Sequence, residues 1–95
     1  MAGQDSVSKI LDIMNTKQRW YIVRCLLAGH TRFNQIKREC NMSSAALSRT
    51  LKYLEYKGLV TRLKNGGDAS EYSLTRNGYE FHEVISALAR LGKRI

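Results

Sequence analysis

At 95 residues, with 16 Lys and Arg against 8 Asp and Glu, the chain carries a formal charge of +8 and an isoelectric point near 9.9. That length holds a single domain, residues 1–95, whose core is sufficient but not generous. The charge favours a polyanionic partner, of which nucleic acid is the usual one. No signal peptide, apolar run of about twenty residues or lipidation motif is present, so a cytoplasmic protein without membrane contact is expected. Two unevenly spaced cysteines do not make a disulfide framework. The basic residues are spread through the chain, which points to a folded basic surface and away from a disordered arm.

In chain order, Asp5 or Ser6 caps a first helix over 6–14 that carries Val7, Ile10, Leu11, Ile13 and Met14. Asn15-Thr16 break the chain and re-cap it. A second helix is predicted from about Lys17 to Ala28, with Trp20, Val23, Leu26 and Leu27 facing inward and Gly29 as the stop. His30-Thr31-Arg32 is a short extended connection. A third helix starts at Phe33 or Asn34 and runs to Cys40, with Phe33, Ile36 and Cys40 on one face. Asn41-Met42 form a turn, and Ser43 caps a fourth helix. Residues 33–57 thus make a helix-turn-helix with a tight turn of about 3–4 residues.

In the fourth helix Leu47, Leu51 and Leu54 recur at i, i+4 and i+7 and form one buried stripe. Ala45, Arg49, Lys52 and Tyr56 fall on the opposite side, flanked by Ser48 and Tyr53. This face is small near its N-terminus and basic-aromatic further along, as a helix entering a major groove requires. Gly58 ends the helix, and a hairpin over 59–74 follows. Leu59–Lys64 and Glu71–Leu74 alternate as strands around Asn65-Gly66-Gly67-Asp68-Ala69-Ser70. Thr75 caps a final helix over 76–94. Phe81, Val84, Ile85, Leu88, Leu91 and Ile95 stripe it, more apolar surface than so small a core can bury alongside the first helix. The expected fold is mainly α with a small β-hairpin wing (α+β), a winged helix-turn-helix. A homodimer is expected through Ile10, Ile13 and Met14 of the first helix and Phe81, Val84, Ile85, Leu88 and Leu91 of the last.

The expected partner is double-stranded DNA. Ser43 and Ser44 stand where hydroxyls and unpaired N–H groups meet a phosphate at the positive helix end. Ala45 leaves room there for close approach, while Ser48 and Arg49 lie one turn on, at the level of the base edges. Arg49 is the candidate for direct readout, because a guanidinium bonds guanine O6 and N7 in a fork. Lys52 and Tyr53 are assigned to phosphates. Arg62, Lys64, Asn65 and Gly66 of the wing are placed at an adjacent minor groove or its phosphates, diluted by Asp68 and Glu71. Arg32 and Lys37 are phosphate candidates from the side crossing the backbone. Asn34 and Gln35 add neutral bonds to phosphate, with a capping role an alternative for Asn34.

Cys25, His30, Cys40 and His82 lack the short spacing of a metal pair, so no metal or cofactor is expected. Cys40 reads as a small core residue. Cys25, opposite the second helix's apolar stripe, reads as exposed or covered by a partner. There is no nucleophile elbow, phosphate loop or cofactor fingerprint, hence no enzyme.

From Ile10 to Gly92 the chain resembles the HxlR-type branch of the MarR-like winged-helix regulators of bacteria and archaea. The motifs are WYIVRCLLAGHTRF at Trp20–Phe33, FNQIKREC at Phe33–Cys40, SxxxLSRTLKYLEYKGLVTR at Ser43–Arg62 and EYSLTRNGYEF at Glu71–Phe81. The resemblance implies a homodimer that binds a pseudo-palindromic operator, with dimer contacts from the first and last helices. The expected function is a nucleoid-associated, sequence-specific transcription regulator that represses by occlusion. Redox-sensing members carry a cysteine ahead of the second helix, which this chain lacks. An alternative is a winged-helix module that binds protein, or nucleic acid without sequence choice. A repressor sensing an unknown small-molecule effector would need a pocket between the wing base and the dimer helices.

Overall fold

The computed structural model describes residues 5–63 and 70–95. Seven elements follow in order: α1 (Ser6–Ile13), α2 (Lys17–Leu27), α3 (Phe33–Cys40), α4 (Ser44–Tyr56), β1 (Val60–Leu63), β2 (Glu71–Leu74) and α5 (Arg76–Arg94). The architecture is mainly α with a two-stranded antiparallel wing, in which Val60 pairs with Leu74 and Leu63 with Glu71. Three helix starts, those of α1, α4 and α5, fall at side-chain caps that satisfy a backbone N–H with no partner inside its helix, whereas Thr16 precedes α2 without a side-chain cap bond. Asp5 accepts from the Ser8 N–H, Ser43 Oγ from Ala46 and Thr75 Oγ1 from Gly78. α3 also departs from the simple pattern. Its cap is Arg32, not Asn34, and the Gln35 side chain reaches back to accept from the Arg32 N–H at 3.1 Å. The chain leaves α2 and α4 through Gly29 and Gly58, both at positive φ, and leaves α3 through Asn41 in the left-handed region.

The core gathers Ile22, Val23, Cys25 and Leu26 of α2, Ile36 of α3, the three leucines of α4, and Leu59, Val60, Tyr72, Leu74 and Phe81. Full burial of each leucine contributes roughly 1.5–3 kcal/mol. α2 is the central helix, packing against α3, α4, α5 and β2. This position corrects the expected face. Ile22 and Cys25 point in and Leu27 is exposed, because neighbours on several sides widen the buried arc beyond a single stripe. Cys25 is therefore core, neither exposed nor waiting for a partner, and Cys40 is half-buried against the same cluster.

The connection His30-Thr31-Arg32 does more than link helices. Arg32 bridges Glu71 in antiparallel fashion. The Thr31 carbonyl accepts from the Tyr72 N–H, and Phe33 N–H donates to the Ser70 carbonyl. These bonds give the wing a rudimentary third strand on the open edge of β2, and so tie the hairpin base to the start of the helix-turn-helix.

A second tie joins the end of α4 to the start of α5. The Thr75 hydroxyl donates to the Gly58 carbonyl while capping α5, and the Thr75 N–H donates to the Leu59 carbonyl. Gly78, in the first turn of α5, lies directly against that backbone. A Cβ there would be driven into the Leu59 carbonyl oxygen and would meet Leu74 Cδ2 at 3.1 Å, so only glycine allows this approach.

Candidate nucleic-acid interface

α4 presents the two faces that its sequence pattern predicts. Leu47, Leu51 and Leu54 are fully buried, while Ser44, Ala45, Ser48, Arg49, Lys52 and Tyr56 are exposed, Tyr56 at 85%. Ser43 is committed to the cap, its Oγ accepting from Ala46 at 3.1 Å, and remains exposed at the helix's positive end. Thr50 donates to the Ala46 carbonyl at 2.8 Å and stays on its own helix. Among the described residues Arg49 makes no ion pair, so its guanidinium is unclaimed by protein.

The other candidates are distributed unequally. Tyr53 is half-buried and its ring is already covered. The Arg19 guanidinium stacks 3.8 Å from the ring centroid, with the Lys57 ammonium at 5.7 Å. Only its edge remains for a phosphate. Arg32 donates Nε to Glu71 Oε2 at 3.3 Å, which draws it towards the wing base. Arg62 donates to Ser70 Oγ at 2.9 Å across the hairpin. Lys37 is half-buried and lines a shallow concavity with Asn34, Arg38, Asn41 and Met42. Lys64, Asn65 and Gly66 lie outside the described residues.

The structure adds residues that sequence reasoning passed over. Thr16, Gln18 and Arg19, at the start of α2, close a concavity of about 310 Å³ beside Ala46, Arg49 and Tyr53. Arg19 is anchored twice, by its stack on Tyr53 and by donating to the Asp12 carbonyl at 2.8 Å. A second guanidinium thus stands on the flank of α4 that carries Arg49. The signal was available as the basic run Lys17-Gln18-Arg19 directly after a helix start.

Along α1 and α5 the apolar faces are incompletely covered. Ile13 and Phe81, expected at a dimer interface, are core residues of the single chain at 5% and 3% exposure. Ile10, Met14 and Ile85 are half-buried against that core. Val7, Leu11, Val84, Leu88, Leu91 and Ile95 remain exposed. A groove of about 1050 Å³ runs between α1, the end of α4 and α5, with Ile10, Ile13, Leu59, Phe81 and Val84 on its apolar side and Lys9, Lys57 and Glu80 on its polar side. Among the described residues no helix is long and apolar enough to cross a membrane.

Known structures share this arrangement. The reduced form of the transcriptional regulator YodB from Bacillus subtilis superposes with a TM-score of 0.87 at 21% identity, over 99% of this chain and 95% of that one. A MarR-family protein from Enterococcus faecalis V583 does so with a TM-score of 0.84 at 24% identity, over 99% and 91%. The DNA complex of MepR from Staphylococcus aureus follows with a TM-score of 0.76 at 19% identity, over 92% and 75%. At these identities the likeness is one of fold, a winged helix. No curated protein matches in sequence. The family profile of the HxlR-like helix-turn-helix matches residues 13–95, most of the chain. With that match, and with the capped α4, its hairpin wing and the flanking α1 and α5 in place, the chain belongs to the HxlR-like helix-turn-helix family.

Proposed function

We propose that this protein is a sequence-specific, homodimeric DNA-binding transcription regulator that represses by occupying a pseudo-palindromic operator. The observation that carries the reading is the two-faced α4. Its leucines are spent on the core, so the exposed face of Ser44, Ala45, Ser48, Arg49 and Lys52 is held rigidly outward. In this reading α4 lies in the major groove, Arg49 reads a guanine edge, and Ser43, Ser44 and Lys52 bond phosphates. Arg19, Arg32, Lys37 and Arg62 add positive charge on the flanks, with Lys64, Asn65 and Gly66 assigned to the wing tip's contact. The formal charge of +8 supports a polyanionic ligand. The DNA complex of the MepR neighbour, a protein of the same fold, supports DNA as the ligand.

Two copies join through the exposed apolar residues of α1 and α5, placing two α4 helices in successive major grooves about 34–36 Å apart. Chemistry on a substrate has no place in this reading, and the cytoplasm is where it operates.

Selection of random duplex DNA by the purified protein at roughly physiological salt tests it. Enrichment of a pseudo-palindrome with half-sites about 10–10.5 bp apart is the expected result. DNA binding without enrichment would replace the reading with an architectural role, and no binding would replace it with a protein-interaction role.

A further inference from the structure

Arg19 stands half-buried in the first turn of α2, and two contacts fix its guanidinium. The group sits over the Tyr53 ring of α4, 3.8 Å from the centroid. Its Nη1 donates at 2.8 Å to the Asp12 carbonyl, which lies in the last turn of α1 at the negative end of that helix. One side chain therefore joins α1, α2 and α4. A guanidinium carries its several N–H donors in one plane and accepts nothing. The ring covers one side of the group and the carbonyl takes one donor, so further donors remain along its edge.

The concavity of about 310 Å³ between the start of α2 and the flank of α4 has both Arg19 and Arg49 on its wall, with the carboxamide of Gln18 and the hydroxyl of Thr16. Two guanidiniums beside neutral hydrogen-bonding groups suit a phosphate, whose oxygens accept several charge-assisted bonds at once. The two arginines differ in one respect. Arg49 is exposed, whereas Arg19 is already held by Tyr53 and Asp12, so it has little rotamer freedom left to lose on binding. Phosphate contacts fix the register of a protein on the duplex and base contacts specify sequence. A prefixed cation suits the first task.

We infer that Arg19 is a preset anchor for one DNA phosphodiester, which sets the register at which Arg49 enters the major groove. The inference rests on the DNA-binding reading above and adds to it a positioning residue outside the helix-turn-helix. Tyr53 acts indirectly, its ring holding Arg19 beside the concavity that Arg49 also lines. Because Arg19 also bonds the last turn of α1, the phosphate contact and a helix assigned to the dimer share one side chain.

The test measures binding of the whole chain and its variants, as a function of salt, to random-sequence duplex and to the duplex that selection enriches. Arg19→Gln should lose at least about tenfold in affinity on both, the scale of a hydrogen bond to a charged group. It should also lower the slope of log K against log salt by about 0.9. Arg19→Lys keeps the charge and should restore the slope. Tyr53→Leu keeps every charge but frees Arg19, so affinity should fall at an unchanged slope. Neutral methylphosphonates are then placed singly along the enriched duplex. One position per half-site should weaken the native chain and leave Arg19→Gln unaffected, a coupling that lost packing alone does not produce. Should Arg19→Gln fail to fold, Arg19→Met, whose thioether still covers the Tyr53 ring, takes its place. Native affinity and slope in the neutral variant, while the native chain binds, would overturn the anchor and leave the DNA reading standing. So would a methylphosphonate map with no position coupled to Arg19. Failure of the native chain to bind any duplex would remove both.

Discussion

α4 and α5 are both amphipathic helices, yet they spend their apolar faces differently. α4 buries all three of its leucines inside the chain, Leu51 at 1% exposure, and turns small, polar and aromatic groups outward. α5 buries Gly78 and Phe81 in its first two turns and then runs on with Leu88, Leu91 and Ile95 uncovered, Ile95 at 96%. A helix of 19 residues is about 28 Å long, and the small core supports little more than its beginning. One helix is complete within a single chain; the other presents apolar surface of the kind that marks a docking face. In the proposed reading, recognition is a property of the single chain's fold, whereas placing two α4 helices on one operator depends on a second copy.

This division makes graded expectations. Leu51→Ala strikes the complete helix and should cost about 2–5 kcal/mol of stability, read as a lowered denaturation midpoint. A loss below 1 kcal/mol would mean that α4 is not held by its leucines. Leu88→Asp strikes the incomplete helix, at a side chain outside the core cluster and 43% exposed. Unfolding of the dilute monomer should be nearly unchanged, while the dimer dissociation constant in sedimentation equilibrium rises at least about 30-fold, a loss of ~2 kcal/mol. An unchanged dissociation constant would place the interface elsewhere. Arg49→Ala should leave both stability and assembly intact and flatten discrimination at one base pair by about 1–3 kcal/mol. If operator variants keep their relative ranking, Arg49 does not read a base. Smallest of all, Lys52→Ala should weaken binding evenly across sequences and reduce the slope of log K against log salt by about 0.9.

The element boundaries were legible where local chemistry fixes them. Ser43 and Thr75 accept bonds from the first turns of their helices, and Gly29 and Gly58 adopt the positive φ that other residues resist. The two faces of α4 were legible for a similar reason, since a helix with solvent on one side obeys a simple period. α2 was less legible because it is surrounded. Cys25 is buried and Leu27 exposed, and no single stripe describes a helix packed on several sides. The strand-like pairing of Thr31 and Arg32 with the wing is too short to leave a pattern, and it depends on residues about forty positions away. Arg19 escaped notice because its role arises from the distant ring of Tyr53. Likewise, Ile13 and Phe81 carry the same apolar signal as their exposed neighbours, and only the packed chain tells core from interface.

The knot at Thr75 and Gly78 has a mechanical consequence. By pinning the end of α4 to the first turn of α5 through Gly58, Leu59 and Thr75, it fixes the angle between α4 and α5. In the proposed dimer that joint acts as the hinge pin of a pair of callipers, whose opening is the distance between half-sites. Loosening it with Thr75→Val should leave the preferred bases alone and broaden the range of half-site spacings the protein accepts, measured by binding to operators with one or two base pairs inserted at the centre. An equally sharp spacing preference would mean that the span is set elsewhere.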